Sequence, residues 1–285
     1  MSASSAATRV AVCIDDLGLH GGITEAAVEL VAAGRVSALA CLSEAPGWRA
    51  AAAVLRAAEV VERTDLGLHL CFTEEWSRSS QRASLTVFIA RAFARRLDAA
   101  SLLDDVRRQL DAFEDAVGAP PHFVDGHQHV HQLPIIRDVL LAELGRRYAD
   151  TRPWLRNTLP PKRPMLAAWS NADDRKHRII AALGAGRFRA LALRHGFAQN
   201  QRLLGVYGFE GSTRDYAQRW QRWSREAGDL DLLMCHPGRQ HASDPIGPAR
   251  EAELHALREA STWEAWLDRA PRIVRLSNQA HHGAV

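Results

Sequence analysis

Short apolar segments alternate along this chain with longer segments rich in alanine, arginine and glutamate that have helical periodicity. Such alternation is typical of successive βα units, in which a crossover helix follows each strand. The apolar segments predict strands at residues 9–15, 36–43, 64–70, 122–127, 152–157, 203–208, 229–235 and 272–277. We therefore predict an α/β fold, a parallel (β/α) barrel that is either closed or irregular and incompletely closed, with a doubly wound open sheet as the alternative.

The segments between these strands predict the helices, at residues 22–35, 47–60, 101–118, 134–148, 213–228 and 248–261. No change in composition marks a linker, so we predict a single domain over residues 1–285. Residues 158–200 fit the βα alternation worst and predict an insertion near the site. Residues 87–100 form a basic amphipathic stretch, which is either a packed, solvated helix or a surface that meets an amphiphilic substrate or a membrane.

Composition excludes several classes of protein. With 47% hydrophobic residues the chain can bury a sizeable core, so it is not disordered or fibrous. Its net charge of +3 is not gathered on one element, and nucleic-acid binding is not expected. No secretory signal and no apolar run near 20 residues is evident, which predicts a soluble, cytoplasmic protein without a transmembrane segment. Four widely spaced cysteines predict buried, reduced thiols rather than a thiolate metal site, at Cys13, Cys41, Cys71 and Cys235.

Reactive side chains fall where predicted strands end. Asp15 and Asp16 close the first strand and His69 lies near the end of the third. His127 ends the fourth strand and His236 follows the seventh. Because the carboxyl ends of parallel strands meet on one face, these side chains are expected to converge there.

The stretch HQHVH at residues 127–131 leaves two arrangements open. An extended chain would place His127, His129 and His131 on one side, whereas a helix would pair His127 with His131. Metal-binding histidines need hydrogen-bond partners, and Asp125 or Gln128 could orient a ring or hold substrate.

One carboxylate and two imidazoles, with a second carboxylate and another histidine beside them, suit metal-assisted hydrolysis. In such a site Asp15 would act as the base and His236 would protonate the leaving nitrogen. The sequence lacks GxSxG, GxGxxG and GxxxxGK[ST], which disfavours a serine nucleophile and nucleotide cofactors.

Four motifs in this order resemble the YdjC-like carbohydrate deacetylase family, which includes chito-oligosaccharide deacetylases and hopanoid-biosynthesis relatives. They are IDDLG at 14–18, GLHLCFTE at 67–74, DGHQHVHQLP at 125–134 and MCHPG at 234–238, and REAELHAL at 250–257 is a weaker match. The resemblance implies a (β/α)-barrel-like fold and hydrolysis of an N-acetyl group on an amino sugar. It also implies one divalent metal ion, with Mg²⁺ favoured over Zn²⁺.

Matched residue by residue, the resemblance implies that Asp16, His69 and His127 are the metal ligands. It implies that Asp15 is the catalytic base and His236 the acid. Family members can be dimeric, so a homodimer is compatible with the resemblance.

The chain departs from the family pattern near the metal, since Cys71 replaces Asn and Gly126 replaces Ser. Tryptophans and arginines occur in the predicted fifth strand and in the segment after it, and we hypothesise that Trp154 and Arg156 contact substrate or support the site. Trp169, Arg152 and Arg163 extend this group. The expected substrate is accordingly an N-acetylated amino sugar, an oligosaccharide, or a lipid- or phosphate-linked glycoconjugate.

Two other functions remain open. The same metal site could hydrolyse another amide or a phosphoester. Alternatively, the protein could bind glycan without catalysis, although Asp15 and His236 are both in place.

Overall fold

The computed structural model describes residues 7–162, 171–267 and 271–280. Eight strands occur in this part of the chain, one for each predicted strand: β1 Arg9–Leu17, β2 Ala38–Cys41, β3 Asp65–Leu70, β4 Phe123–Gly126, β5 Trp154–Leu155, β6 Leu203–Leu204, β7 Asp231–Cys235 and β8 Arg272–Ile273. Strands β1 to β7 are mostly apolar and almost fully buried, as expected for a parallel sheet that is covered on both sides, whereas the two residues of β8 are not buried.

Helices lie between the strands. They are α1 Gly21–Ala32, α2 Trp48–Ala57, α3 Val60–Arg63, α4 Leu85–Phe93, α5 Ala99–Val117, α6 Ile136–Arg147, α7 Ala172–Ala182, α8 Ala185–Arg194, α9 Thr213–Glu226, α10 Gly247–Arg258, α11 Glu264–Leu267 and α12 Ser277–Ala280. Short 3₁₀ helices cover His127–Gln132 and Ala260–Trp263. Residues 87–100 do not form one helix, because α4 ends at Phe93, Arg95 is left-handed (φ 57°) and Asp98 caps α5. Among the described residues, no helix is both long and apolar enough to span a bilayer.

The strands form one parallel sheet in the order β5-β4-β3-β2-β1-β7-β6, and β8 pairs with the start of β1. The end strands β5 and β6 do not pair with each other directly. Two backbone hydrogen bonds cross this seam, from Leu155 N to the Ala198 carbonyl and from Leu203 N to the Leu159 carbonyl, both 2.9 Å long. The predicted (β/α) barrel is therefore confirmed in its incompletely closed form, and the doubly wound open sheet was the wrong alternative.

Side chains that point inward fill the barrel at the amino ends of its strands. Phe123 and Trp154 stack there with ring centroids 4.3 Å apart. Gly67 makes room for this pair, because a Cβ atom at that position would lie 2.4 Å from the Phe123 ring. Below them the buried Asp65 accepts hydrogen bonds from the Trp154 indole (3.0 Å) and from Arg275 (2.9 Å). This end of the barrel is packed shut, so the opposite end is the one open to ligands.

The seam between β5 and β6 is the part predicted as an insertion. In its described portion, α7 and α8 pack against each other, and α7 lines the cavity at the open end of the barrel. Arg163 and Trp169 lie outside the described residues. The single-domain prediction stays a prediction. The four cysteines are buried and unpaired, as predicted.

Candidate metal and active site

The strand-end residues predicted from the sequence converge on one cavity of about 700 Å³ at the carboxyl ends of the strands. Its wall includes Asp15, Asp16, His69, His127 and His236. These residues come from β1, β3 and the ends of β4 and β7, so four separate segments supply the polar floor.

A β-bulge turns both aspartates of β1 towards this floor. Between Ile14 and Leu17 the strand takes three steps while β2 takes two, and Asp16 is left-handed with φ 63°. In a regular strand the carboxylates of Asp15 and Asp16 would point to opposite faces. The bulge removes that alternation. The backbone therefore leaves the regular strand conformation at Asp16.

Asp16, His69 and His127 offer three ligand atoms that lie within 4.8 Å of one another. Asp16 Oδ1 is 2.8 Å from His127 Nδ1 and 3.5 Å from His69 Nε2. Asp125 accepts a hydrogen bond from His69 Nδ1 at 2.6 Å, which leaves Nε2 turned towards Asp16. One carboxylate and two imidazoles on separate segments match the donor set of a divalent-metal site with open positions.

A second group, Asp15, His69 and Asp125, is also close enough to hold an ion. However, the Arg156 guanidinium already lies between its two carboxylates. It donates two hydrogen bonds of 2.6 Å to Asp15 and its Nε lies 2.6 Å from Asp125 Oδ2. Arg156 occupies both oxygens of Asp15, whereas Asp16 Oδ1 faces the two imidazoles, so the Asp16 group is the better candidate for a metal site.

The charges on the Asp16 group are strongly coupled. Burial opposes the charged imidazole of His69, but the carboxylates of Asp125 and Asp15 outweigh it and raise the pKa of His69 to about 9. Burial is likewise outweighed at His127, where Asp16 raises the pKa of the imidazole well above its usual value. Without a metal, protons on these two rings supply the positive charge that the carboxylates require.

Asp15 and His236 stand beside this group. Burial would favour the neutral acid, but the Arg156 guanidinium holds the pKa of Asp15 well below its usual range. Burial lowers the pKa of His236 to about 4, so its imidazole is neutral near pH 7. His236 Nε2 lies 4.0 Å from Asp15 Oδ2. The Asp15 carboxylate is thus charged and the His236 imidazole is neutral. Small movements of the two side chains would bring them within hydrogen-bond distance, where a proton can pass between them.

Neither arrangement predicted for HQHVH is correct. Gln128 and His129 are left-handed (φ 54° and 60°), so the chain turns instead of forming a strand or a regular helix. His127 faces Asp16 and His129 lines the cavity. His131 turns away, bonds to the Arg156 carbonyl at 3.0 Å and packs against Phe188. His131 can therefore support the site only through the backbone of Arg156.

The proposed substrate contacts of Trp154 and Arg156 are not compatible with their positions. Trp154 lies at the packed end of the barrel, where its indole binds Asp65. Arg156 has no exposed surface and pairs with Asp15 and Asp125, so it cannot clamp a substrate phosphate. The position of Arg156 instead fits the other role predicted for it, in which it supports the site by binding Asp15 and Asp125.

The sequence profile of the YdjC-like protein family matches residues 9–268, a range that contains all of these side chains. This chain belongs to the YdjC-like family.

Two relatives of this YdjC-like chain carry names that state an activity. A chitooligosaccharide deacetylase of Serratia marcescens is 24% identical over 230 residues, which cover 78% of this chain and 79% of that protein. A carbohydrate deacetylase of Mus musculus is 29% identical over 295 residues, which cover 91% and 90%. A crystal structure of an Enterococcus faecalis protein, with a proposed role in cellobiose-phosphate cleavage, is 18% identical with a TM-score of 0.67 and covers 96% and 99%. At that identity it supports the fold alone.

Sequence analysis missed several residues of the YdjC-like site. Arg250 donates a hydrogen bond of 2.6 Å to Asp16 Oδ2, which leaves Oδ1 facing the two imidazoles. Glu253 accepts hydrogen bonds from the His236 backbone N–H (2.5 Å) and the Tyr207 hydroxyl (2.6 Å). Both lie in REAELHAL, and their i, i+3 spacing on α10 was the available signal for one shared face.

Two further carboxylates are part of the same network. Asp244 had no recognisable signal in the sequence, whereas Glu74 ends the GLHLCFTE motif but its contact with His127 was not predicted. Asp244 accepts a hydrogen bond from Arg250 Nε at 2.5 Å and lies 3.0 Å from His20 Nε2. Glu74 lies 3.1 Å from His127 Nε2. They extend the buried network from Asp16 and His127 to the cavity wall.

Proposed function

We propose that this protein is a metal-dependent carbohydrate N-deacetylase that hydrolyses the N-acetyl group of an amino sugar or of an amino-sugar glycoconjugate. The observation that carries the proposal is the convergence of Asp16, His69 and His127 beside Asp15 and His236. Membership of the YdjC-like family and the names of the two relatives support the same reaction class.

A divalent ion would be held by Asp16 Oδ1 and by one nitrogen each of His69 and His127. When bound, such an ion polarises the amide carbonyl and lowers the pKa of a bound water. Asp125 would fix the orientation of His69, and Arg250 would fix the orientation of Asp16. The resemblance favours Mg²⁺, whereas two imidazole donors favour Zn²⁺ or a related transition metal. The acetate-release experiment therefore compares Mg²⁺ with Zn²⁺.

Asp15 is the base in this proposal, because Arg156 keeps its carboxylate charged. A proton on Asp15 would be held weakly for the same reason and would pass readily to the neutral imidazole of His236. His236 could then deliver that proton to the leaving nitrogen. Glu253 is the positioning residue, because it binds the His236 backbone and lies 4.0 Å from Nδ1 of the ring.

The cavity wall supports a substrate with an apolar group beyond the sugar. Leucine, isoleucine and aromatic side chains dominate it away from the polar floor: Leu19, Leu42, Trp76, Leu85, Ile89, Ile179, Ile180, Leu183, Val206, Phe209 and Ile246. Trp76, rather than Trp154, offers an aromatic face for a sugar ring. Arg175 and Lys176 also line the wall and could pair with a phosphate. A lipid- or phosphate-linked amino sugar therefore remains the proposed substrate class.

Acetate release tests the proposal. The purified protein is stripped with a chelator, reloaded with Mg²⁺ or Zn²⁺, and incubated with N-acetylated amino sugars and their alkyl glycosides. We expect acetate only from the reloaded protein. Phosphate release from sugar phosphates without acetate would favour a phosphoesterase, and sugar binding without any product would favour a non-catalytic glycan-binding protein.

Variants assign the roles. His69→Ala and His127→Ala should lose bound metal, whereas Asp15→Asn should keep metal and lose turnover. His236→Ala should lower kcat by about 10² to 10⁴, the usual effect of removing a positioned acid. His255→Ala is the matched control, because His255 is exposed on α10 and does not line the cavity. Full metal content in both histidine ligand variants would exclude the proposed metal site.

A further inference from the structure

The mouth of the cavity exposes apolar side chains. Among the described residues, five large hydrophobic side chains are well exposed, and three of them lie on α4 and α7, the helices that flank the cavity. Ile179 lines the cavity yet is 59% exposed. Phe93 is 50% exposed and lies one turn after the cavity residue Ile89, on the same side of α4. We call the group Leu85, Ile89, Phe93, Ile179 and Leu183 the apolar rim.

Positive charge gathers next to this rim. Arg137 is beside its end, since a Cβ atom at Gly184 would lie 3.3 Å from Arg137 Nη1. Burial lowers the pKa of Arg137, Asp138 opposes this shift, and the charges of Arg187 and Arg95 add to it. In the described part of the chain, neither Arg95 nor Arg187 has a carboxylate within salt-bridge distance. Arg137 itself lies 3.8 Å from Asp138, so the arginines beside the apolar opening that lack a carboxylate partner among the described residues are Arg95 and Arg187, which we call the arginine cluster.

We infer that the apolar rim and the arginine cluster together form a docking surface for an anionic lipid bilayer. Apolar side chains at such a surface enter the boundary between headgroups and acyl chains, while arginines pair with lipid phosphates. A bilayer satisfies both features at once, because it offers an apolar interior beneath a negatively charged surface. Docking in this orientation would turn the open end of the barrel towards the membrane.

Charge complementarity makes the bilayer the specific occupant. The rim alone would suit any apolar partner, but Arg95 and Arg187 beside it have no carboxylate within salt-bridge distance among the described residues. Anionic lipid supplies the missing negative charge without requiring a shaped partner surface. Docking does not depend on catalysis, so it can be tested even if the proposed deacetylase activity is absent.

Vesicle sedimentation measures the docking. The full chain is mixed with phosphatidylcholine vesicles that either contain or lack phosphatidylglycerol, over a range of salt concentrations. We expect binding to the phosphatidylglycerol vesicles that weakens as salt screens the arginines, and little binding to pure phosphatidylcholine. Arg95→Gln and Arg187→Gln should each weaken partitioning about fivefold. Phe93→Glu should weaken it about tenfold or more, because the apolar contact is replaced by a negative charge.

Val54→Glu is the matched control. Val54 is 46% exposed on α2 and does not line the cavity, so this variant should bind vesicles as the unchanged protein does. Circular dichroism and the Tm verify that each variant is folded. The inference is overturned if the unchanged protein stays off anionic vesicles at low salt, or if Phe93→Glu and the arginine variants bind like Val54→Glu. It is also overturned if Phe93→Glu changes only the molecular mass in solution, because the rim would then join two copies of the chain.

Discussion

Arg156 organises the site at the scale of single residues. It is fully buried, and its guanidinium joins Asp15 of β1 to Asp125 of β4. Asp125 in turn orients His69. One side chain thus keeps the Asp15 carboxylate charged and indirectly sets the direction of His69, a proposed metal ligand. A lysine could supply the charge but not the planar set of donors that reaches both carboxylates.

Replacing Arg156 should therefore destabilise the protein strongly. Arg156→Ala leaves two buried carboxylates without their cation, and we expect a loss of about 3 to 5 kcal/mol in the free energy of unfolding. Urea denaturation measures this loss. Arg152→Ala, at an exposed arginine of the same segment, should change the value by no more than about 0.5 kcal/mol. Equal effects of both substitutions would contradict the role assigned to Arg156.

Glu253 should make stability depend on pH. Burial raises its pKa from 4.5 to about 7 in the folded protein. Because the folded-state pKa is the higher one, the stabilising contribution is complete below pH 4.5 and is lost as pH rises through 7. The free energy of unfolding relative to Glu253→Gln should fall by on the order of 2 kcal/mol between pH 5 and pH 8. A difference that stays constant with pH would show that Glu253 is charged throughout.

The strands and helices were predictable where the sequence has a clear hydrophobic periodicity. The strands and main helices follow from apolar alternation, yet β5, β6 and β8 are only two residues long, because they pair over short stretches at the seam and below β1. The turn at His127–Gln132 was not predictable, since left-handed Gln128 and His129 follow from tertiary contacts and not from residue preference. For the same reason, the sequence could not decide which of its histidines faces the metal site.

The residues of the candidate site also divide into those that the sequence predicts and those that it does not. Asp15, Asp16, His69, His127 and His236 were predictable because strand ends of parallel sheets converge. For Arg156 a substrate contact and a supporting role were both left open, because nothing in the sequence reports its complete burial. Asp244 and Glu74 lie on loops whose course depends on packing, so their contacts were out of reach.

The turn that carries His127 gives a prediction at the scale of elements. A Cβ atom at Gly126 would lie 2.9 Å from the His131 backbone nitrogen, which is too close. Gly126→Ala should therefore lower the free energy of unfolding by about 1 to 3 kcal/mol and weaken metal binding, because the turn must shift. Thermal unfolding and metal titration measure the two effects.

Gly145 is the matched control for that substitution. It lies within α6, and a Cβ atom there meets nothing within 4 Å. Gly145→Ala should raise stability by about 0.5 to 1 kcal/mol and leave metal binding unchanged. A similar loss in both variants would mean that the turn is not tightly packed.

At the scale of the whole molecule, the cavity joins a polar floor to an apolar wall. If a lipid-linked sugar is the substrate, each buried methylene of an alkyl glycoside should raise kcat/KM about fourfold until the wall is covered. Kinetics with N-acetylglucosamine alkyl glycosides of increasing chain length measure this slope. Leu183→Asp in the wall should flatten it, whereas Leu193→Asp on the exposed side of α8 should not. A rate that does not depend on chain length would exclude an apolar substrate group.

The connection across the seam between β5 and β6 carries part of the cavity wall, apart from the strands that carry the proposed reactive groups. The proposed reactive groups lie on or directly after the continuous run of strands, whereas α7 and part of the cavity wall belong to the connection that bridges the gap. Two backbone hydrogen bonds and the side chains of Asn157 and Asn200 tie that connection across the seam, and Asp15, Asp16 and His69 take no part in these bonds. Exchanging residues 158–200 between relatives should consequently transfer preference for one acylated compound over another, while the hydrolytic step itself stays intact.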